Sequence, residues 1–240
     1  MADPRVFVTT SWDDGHELDT KMAALLADHG CPGTFYVSPR SREILPERRI
    51  SNSALQELSG RFEVGCHTLT HPHLTRLSPS DAAREITDGK NAIEDVLGQT
   101  VSSFCYPYGA YGPTHVEMVR AAGFRVGRTS RRFSVAAASD PLQMSTTTHA
   151  ARYKRDLGRA ALRIASPRQA IRMWRDWDVL ALNAFEEAYA CGGVIHIWGH
   201  SWEVEENGDW QRLSRLLSEL AARDDVTMLT NGQLGEHMAS

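Results

Sequence analysis

Cysteine is sparse and scattered in this chain. Its four thiols, Cys31, Cys66, Cys105 and Cys191, form no CxxC pair, which excludes the dense disulfide framework of a small secreted scaffold. They are expected to be reduced and mostly buried. Long apolar runs are absent too, none approaching the ~20 residues of a membrane helix. At the N-terminus, Met1-Ala-Asp-Pro leads directly into a strand-like segment, without the basic region and apolar run of a secretion signal. These absences predict a cytoplasmic protein without a transmembrane segment, and a chain trimmed of its signal would read the same way. Basic patterning is equally poor. Net charge is -4, and Arg48-Arg49 and Arg131-Arg132 are short runs in an otherwise scattered set. No extended footprint for nucleic acid results, so a small-molecule or oligosaccharide substrate fits better.

What is present is a repeating alternation. At 240 residues and 42% hydrophobic, the chain can bury one substantial core, so residues 1–240 are expected to form a single catalytic domain. Strand-like runs begin at Val6, Gly33, Phe62, Ser103, Phe124, Val194 and Val226. Segments of helical period lie between them. Leu18, Met22, Leu25, Leu26 and His29 form one stripe, stopped by Gly30; Ala82, Ile86, Ile93, Val96 and Leu97 form another, with Ser78 or Ser80 as its cap and Gly98 at its end. Val116, Val119 and Ala122 repeat the pattern before Gly123, as do Leu213, Leu216, Leu217 and Leu220 after Trp210. About seven strands alternating with helices predict an α/β fold with a mainly parallel sheet, closed or nearly closed into a barrel. An open doubly wound sheet is the alternative. Residues 130 to 170 are the least regular and are expected to form an insertion or covering loop.

Four clusters could carry chemistry, each at or near a strand's C-terminal end, where parallel barrels build their active sites. The first is Thr10-Ser-Trp-Asp13-Asp14-Gly15-His16. Adjacent carboxylates leaving a strand point in different directions, so one can ligate a metal while the other faces substrate as a base. Taken alone, an Asp-Asp-Gly turn is more often a solvated turn. The second is Cys66-His67-Thr-Leu-Thr-His71-Pro-His73, in which two imidazoles four residues apart can converge on one cation. One carboxylate and two imidazoles, with positions left for water, suit a catalytic metal site rather than a structural one. The third, Phe104-Cys105-Tyr106-Pro107-Tyr108-Gly109, reads by itself as an aromatic turn. The fourth is a buried strand carrying His196 and ending at His200, both on one face by strand alternation. Either is a candidate acid or base, and His200 lies nearer the strand's C-terminal end.

Together the clusters resemble the polysaccharide deacetylases with a NodB homology domain, carbohydrate esterase family 4. Thr10-Ser-Trp-Asp-Asp-Gly is similar to that family's Thr-Phe-Asp-Asp-Gly signature, and His67-Thr-Leu-Thr-His71-Pro-His-Leu-Thr to its His-Ser/Thr-x-x-His-Pro-x-Leu-Thr. Phe104-Cys-Tyr-Pro-Tyr-Gly is similar to its Phe-Arg-Pro-Pro-Tyr-Gly. The strand ending at His200 takes the place of its hydrophobic-x-His. Signatures in family order span Val6 to Glu203. The resemblance implies a NodB-like, distorted (β/α)7-type barrel that removes N-acetyl groups from an amino sugar. It implies that Asp14, His67 and His71 bind Zn2+ or another divalent ion such as Co2+ or Ni2+. It further implies that Asp13 is the general base, His200 the general acid, and the backbone N–H of Tyr108 an oxyanion donor.

Two positions depart from the pattern. Cys105 stands where many members carry an arginine beside the base, and Arg128, at the end of the next strand, is a candidate replacement. The Asp-Trp pair that orients the catalytic histidine has no counterpart, leaving Thr148-His149 and Asp140 as candidates. Two further readings follow from the same residues. One is hydrolysis of another C–N bond, in a cyclic amide or formamide. The other is an inactive barrel that binds sugar with Trp12, Tyr108, Tyr111, Trp198 and Trp202.

Overall fold

The computed structural model describes residues 6–152, 171 and 175–239. All seven expected strands are present: β1 (Val6–Asp14), β2 (Thr34–Val37), β3 (Glu63–Cys66), β4 (Ser103–Cys105), β5 (Val126–Arg128), β7 (Gly193–Gly199) and β8 (Val226–Leu229). A short additional strand, β6 (Thr148–His149), lies inside the stretch expected to be irregular. The last part of that stretch, residues 153–170, lies outside the described residues.

Every pairing in the sheet is parallel, in the order β5-β4-β3-β2-β1-β7-β6. Strand β1 is the hub. One side pairs with β7 from Val6 to Trp12; the other pairs with β8 along Val6–Thr9 and with β2 along Ser11–Asp14. It is buried along almost its whole length, apolar at Val6–Val8 and Trp12 and polar at Thr9–Ser11 and Asp13–Asp14. The edge strand β5 makes a single parallel bridge, Arg128 to Met144, with the segment that leads into β6. Met144 N donates to Gly127 O at 2.8 Å and Thr129 N donates to Met144 O at 2.8 Å. From there the chain runs into β6, which pairs with β7.

The helices pack around the sheet through the stripes that the sequence marks. Helix α1 (Asp19–Asp28) buries Met22 and Leu26 and is followed by Gly30 at φ 64°. Helix α2 (Asn52–Ser59) buries Leu55 and Leu58. Helix α3 (Pro79–Leu97) is capped by Ser78, whose hydroxyl accepts from Asp81 N, and stopped by left-handed Gly98. Helix α4 (Pro113–Ala121) buries Val116 and Val119. Helix α5 (Trp177–Cys191) precedes β7, and α6 (Ser201–Glu206) leaves it. Helix α7 (Trp210–Ala221) buries Leu213, Leu216, Leu217 and Leu220, and α8 (Asn231–Ala239) follows β8. The main core cluster runs from Val8 and Phe35 in the sheet to Ile86, Phe185 and Leu217 on the helices, and a smaller one holds Val126, Met144, Val194 and Leu234. No helix among the described residues is long and apolar enough to cross a membrane.

Candidate active site

A cavity of about 420 Å³ opens at the C-terminal ends of the strands, the face where such barrels carry their chemistry. Asp13, Asp14, His67, His71, Tyr108, Arg128, His200 and Glu203 all line it. The expected site residues from four distant stretches of chain are therefore brought together.

The last two residues of β1 separate as strand geometry requires. Asp13 turns toward the barrel axis, 2% exposed, where Arg128 Nη2 donates to both of its carboxylate oxygens. Arg128 is 1% exposed and lies against Tyr36 and Trp198, its guanidinium carbon 5.5 and 4.5 Å from the ring centroids. In the β4–β5 register Arg128 is the direct partner of Cys105. The charge absent from the third signature thus arrives one strand over, at the same height in the barrel. Burial raises the Asp13 pKa, but the Arg128 charge, helped by His67 and His200, overcomes that and holds it at about 2.

Asp14 adopts φ 84° and is followed by Gly15 at φ 74°, which swings its carboxylate toward the histidines. A β-carbon at Gly15 would lie 2.7 Å from Val37 Cγ1, so glycine is required there for space as well as conformation. The histidine loop is held as firmly. His67 N continues the β2 pairing by donating to Val37 O at 2.9 Å. Thr68 Oγ1 accepts from His71 N at 3.1 Å. Glu85 on α3 accepts from Leu69 N, Thr70 N and the Thr70 hydroxyl at 3.1, 2.8 and 2.7 Å. Gly89, one helical turn on, lets the loop approach, since a β-carbon there would meet the Thr68 carbonyl carbon at 2.6 Å. Thr68 and His71 take φ 67° and 62°. With Asp14 and Tyr108 (φ 57°) they make four non-glycine residues at positive φ around one cavity, strain of the kind that persists where a site must be held in one geometry.

The metal-capable group is Asp14, His67 and His71. His71 Nε2 lies 3.1 Å from His67 Nε2 and 3.4 Å from Asp14 Oδ1, and His67 Nε2 lies 3.8 Å from Asp14 Oδ1. These separations are close to the ~3.0–3.4 Å between donors that share one ion at the ~2.0–2.2 Å bond lengths of nitrogen and oxygen ligands. His67 Nδ1 donates to Cys105 O at 2.8 Å, leaving the Nε2 lone pair toward the cluster. His71 Nδ1 lies 3.0 Å from Glu43 Oε2, a close contact without hydrogen-bond geometry. Burial and the neighbouring His71 lower the His67 pKa to about 4, so the imidazole is neutral. Asp14 Oδ1 is buried without a hydrogen-bond partner. Two lone pairs and a carboxylate oxygen facing one another repel unless a cation lies between them, so these residues fit a divalent ion.

His200 follows β7 as the residue before α6. Its Nε2 lies 3.7 Å from Asp14 Oδ2, and its Nδ1 donates to Glu203 Oε2 at 2.5 Å. Burial lowers its pKa, but the Asp14 and Glu203 carboxylates outweigh that and raise it to about 9, favouring the protonated ring. His196 is set apart. It sits within β7, 1% exposed, with Nε2 2.8 Å from the Ser11 hydroxyl, and burial lowers its pKa to about 3. Tyr108 lines the cavity 45% exposed, stacks on His73 at 3.7 Å between centroids, and donates its hydroxyl to Glu43.

Of the candidates for the orienting pair, His149 reaches the site and Asp140 does not. His149 Nε2 lies 3.0 Å from Glu203 Oε2. Asp140 instead accepts from Leu142 N and pairs with Arg120. Glu43 and Glu203 carry no assigned role in the sequence reading. Glu203 stands three residues after His200, a spacing that signals a helical neighbour; Glu43 lies in an irregular loop and gives no signal.

The fold and the strand-end cluster define a NodB-type (β/α)7 barrel. Residues 2–127 match the polysaccharide deacetylase family model, and the chain belongs to that family. It is 28% identical over 121 residues to the chitooligosaccharide deacetylase of Rhizobium leguminosarum bv. phaseoli, covering 50% of this chain and 49% of that protein. It is 31% identical over 104 residues to the peptidoglycan-N-acetylmuramic acid deacetylase PdaC of Bacillus subtilis (strain 168), covering 42% of this chain and 21% of that one. The chain thus spans about half or less of the length of these curated relatives. Among solved structures, a polysaccharide-deacetylase-like protein from Mycobacterium smegmatis superimposes with a TM-score of 0.73 at 16% identity, covering 99% of this chain and 91% of that one.

Proposed function

We propose that this protein is a divalent-metal-dependent deacetylase that hydrolyses the N-acetyl group of an amino sugar in an oligosaccharide or glycan precursor. The observation that carries the reading is the convergence of Asp14 Oδ1, His67 Nε2 and His71 Nε2 beside Asp13 and His200 in one strand-end cavity. Asp14, His67 and His71 hold the ion, most suitably Zn2+, with Co2+ or Ni2+ as substitutes. A divalent ion bound there supplies a Lewis acid that polarises the acetyl carbonyl and acidifies water.

The chain's own groups do the rest. Asp13, kept ionised by Arg128, accepts one proton of the attacking water as the new C–O bond forms. Its low basicity suits a water that needs little further help, and the Arg128 contact fixes where the accepting oxygen points. The backbone N–H of Tyr108 donates to the developing oxyanion. As the C–N bond breaks, His200 gives its Nε2 proton to the departing nitrogen and returns to the neutral ring. Acetate and a free amine leave, and solvent restores both proton states. With a cation held at Asp14, part of the charge that favours protonated His200 would be neutralised, and Glu203 would be the carboxylate that sustains the acid.

Two curated relatives named as sugar deacetylases support this substrate class, and neither the other C–N bond nor the inactive barrel gains such support. The test is acetate release from chitooligosaccharides by zinc-loaded protein. Release that disappears in Asp13→Asn supports the reading. No release with zinc, cobalt or nickel, from these or other N-acetyl sugars, would remove it.

A further inference from the structure

The segment bridged to β5 also delivers a side chain to the site. His149 ends β6, paired in register with Trp198 of β7. Its ring is fully buried, 4.2 Å from the Trp198 ring and 5.6 Å edge-on from the His200 ring. Across the cavity wall, α6 begins immediately after His200, and its first turn returns Glu203 to the same spot. One carboxylate oxygen, Glu203 Oε2, then lies 3.0 Å from His149 Nε2 and 2.5 Å from His200 Nδ1. Glu203 is mostly buried in turn, with 14% of its side chain exposed.

We propose that Glu203 and His149 form a positioning pair for His200, with Glu203 fixing the acid's tautomer and rotamer and His149 fixing Glu203. The proposal rests on the deacetylase reading above and assigns the role that the missing Asp-Trp pair leaves open. Three constraints on a general acid explain why such a device is needed. The acid must present Nε2 to the leaving nitrogen, so Nδ1 must be the nitrogen that is bonded elsewhere. It must keep that orientation after losing its proton, which a Nδ1–H to carboxylate bond ensures in both states. Finally, the carboxylate must not swing, because it comes from a short helix that starts at the acid itself and moves with it. A second imidazole from a different element, strand β6, removes that freedom. In proton terms, His200 as imidazolium carries both N–H groups; it loses the Nε2 proton to the amine and keeps the Nδ1 proton on Glu203.

Proton NMR of the zinc-loaded protein and turnover of chitooligosaccharides test this separately. A downfield imidazole N–H resonance should be present in the wild type and missing from both Glu203→Gln and His200→Ala, as expected of a short charge-assisted bond. Glu203→Gln should lower kcat by ~10- to 100-fold with KM nearly unchanged, within the range that acid-base groups contribute. In a His200→Ala background the same change should cost nothing more. His149→Phe, which keeps ring volume without a donor, should lower kcat by roughly 10-fold, and His149→Gln, which restores a donor, should recover part of it. A resonance that survives Glu203→Gln, or a full additional loss on top of His200→Ala, would overturn the pair. If the wild type releases no acetate, the deacetylase reading fails, while the resonance still decides whether the pair exists.

Discussion

Arg128 reaches Asp13 from β5 and contacts both of its carboxylate oxygens, the two residues lying 1% and 2% exposed. Removing the guanidinium strands a buried carboxylate, an error that costs about 3–5 kcal/mol. Arg128→Met should therefore lose stability of that order in urea unfolding. The same change leaves burial unopposed, so the Asp13 pKa rises from about 2 and the base is protonated over more of the acid range. Relative to wild type, the acid limb of kcat/KM should move to higher pH. Cys105→Arg in that background returns a guanidinium to the adjacent register position and should recover part of the rate. An unmoved limb would separate Arg128 from Asp13.

Glu43 touches His71 Nδ1 at 3.0 Å and accepts from the Tyr108 hydroxyl. It lies against a proposed ligand without being one. Glu43→Gln should weaken zinc binding by ~10- to 100-fold in competition with a chromophoric chelator, the usual loss for such outer partners. An unchanged affinity would make Glu43 a surface group only.

His200 and His196 share a strand direction but not a neighbourhood. His200→Ala should lose most turnover. His196→Gln, at a ring bonded to Ser11 inside the sheet, should chiefly lower the melting temperature. If activity survives the first change and disappears with the second, the acid must be reassigned.

The seam between β5 and residues 142–144 depends on Gly127. A β-carbon there would meet Leu142 O at 2.5 Å, a backbone atom that can retreat only by opening the bridge. Gly127→Ala should cost about 1–3 kcal/mol in thermal or urea unfolding. A neutral substitution would show that the bridge carries no load.

Much of this was legible in the chain because the signals are periodic or local. The stripes at Leu213, Leu216, Leu217 and Leu220 and at Ala82, Ile86 and Ile93 mark helices that the structure contains. The Asp13-Asp14 and His67…His71 spacings lie where predicted strands end. Other features were silent for physical reasons. Helix α5 buries Ala181, Ala184 and Ala188 among larger residues, so its buried face stands out little from its other side. Strand β6 has two residues, too few for any alternation. Arg128's contact with Asp13 needs the register of β4 against β5, and Glu203's two partners need the β6–β7 pairing. Neither relation exists in one dimension, although Arg128 was a candidate on its place at a strand end. Within the irregular stretch near 130–170, Thr148 and His149 pair with Ile197 and Trp198, far from them in sequence, so that strand is silent for the same reason.

The central claim is that one ion is held by Asp14, His67 and His71. Anomalous diffraction from zinc-soaked crystals tests it most directly. The account predicts a peak ~2.0–2.2 Å from Asp14 Oδ1 and from both Nε2 atoms, lost in His71→Ala. A strong peak at His149, His200 and Glu203 instead, or none at the Asp14 cluster with zinc in excess, would contradict it.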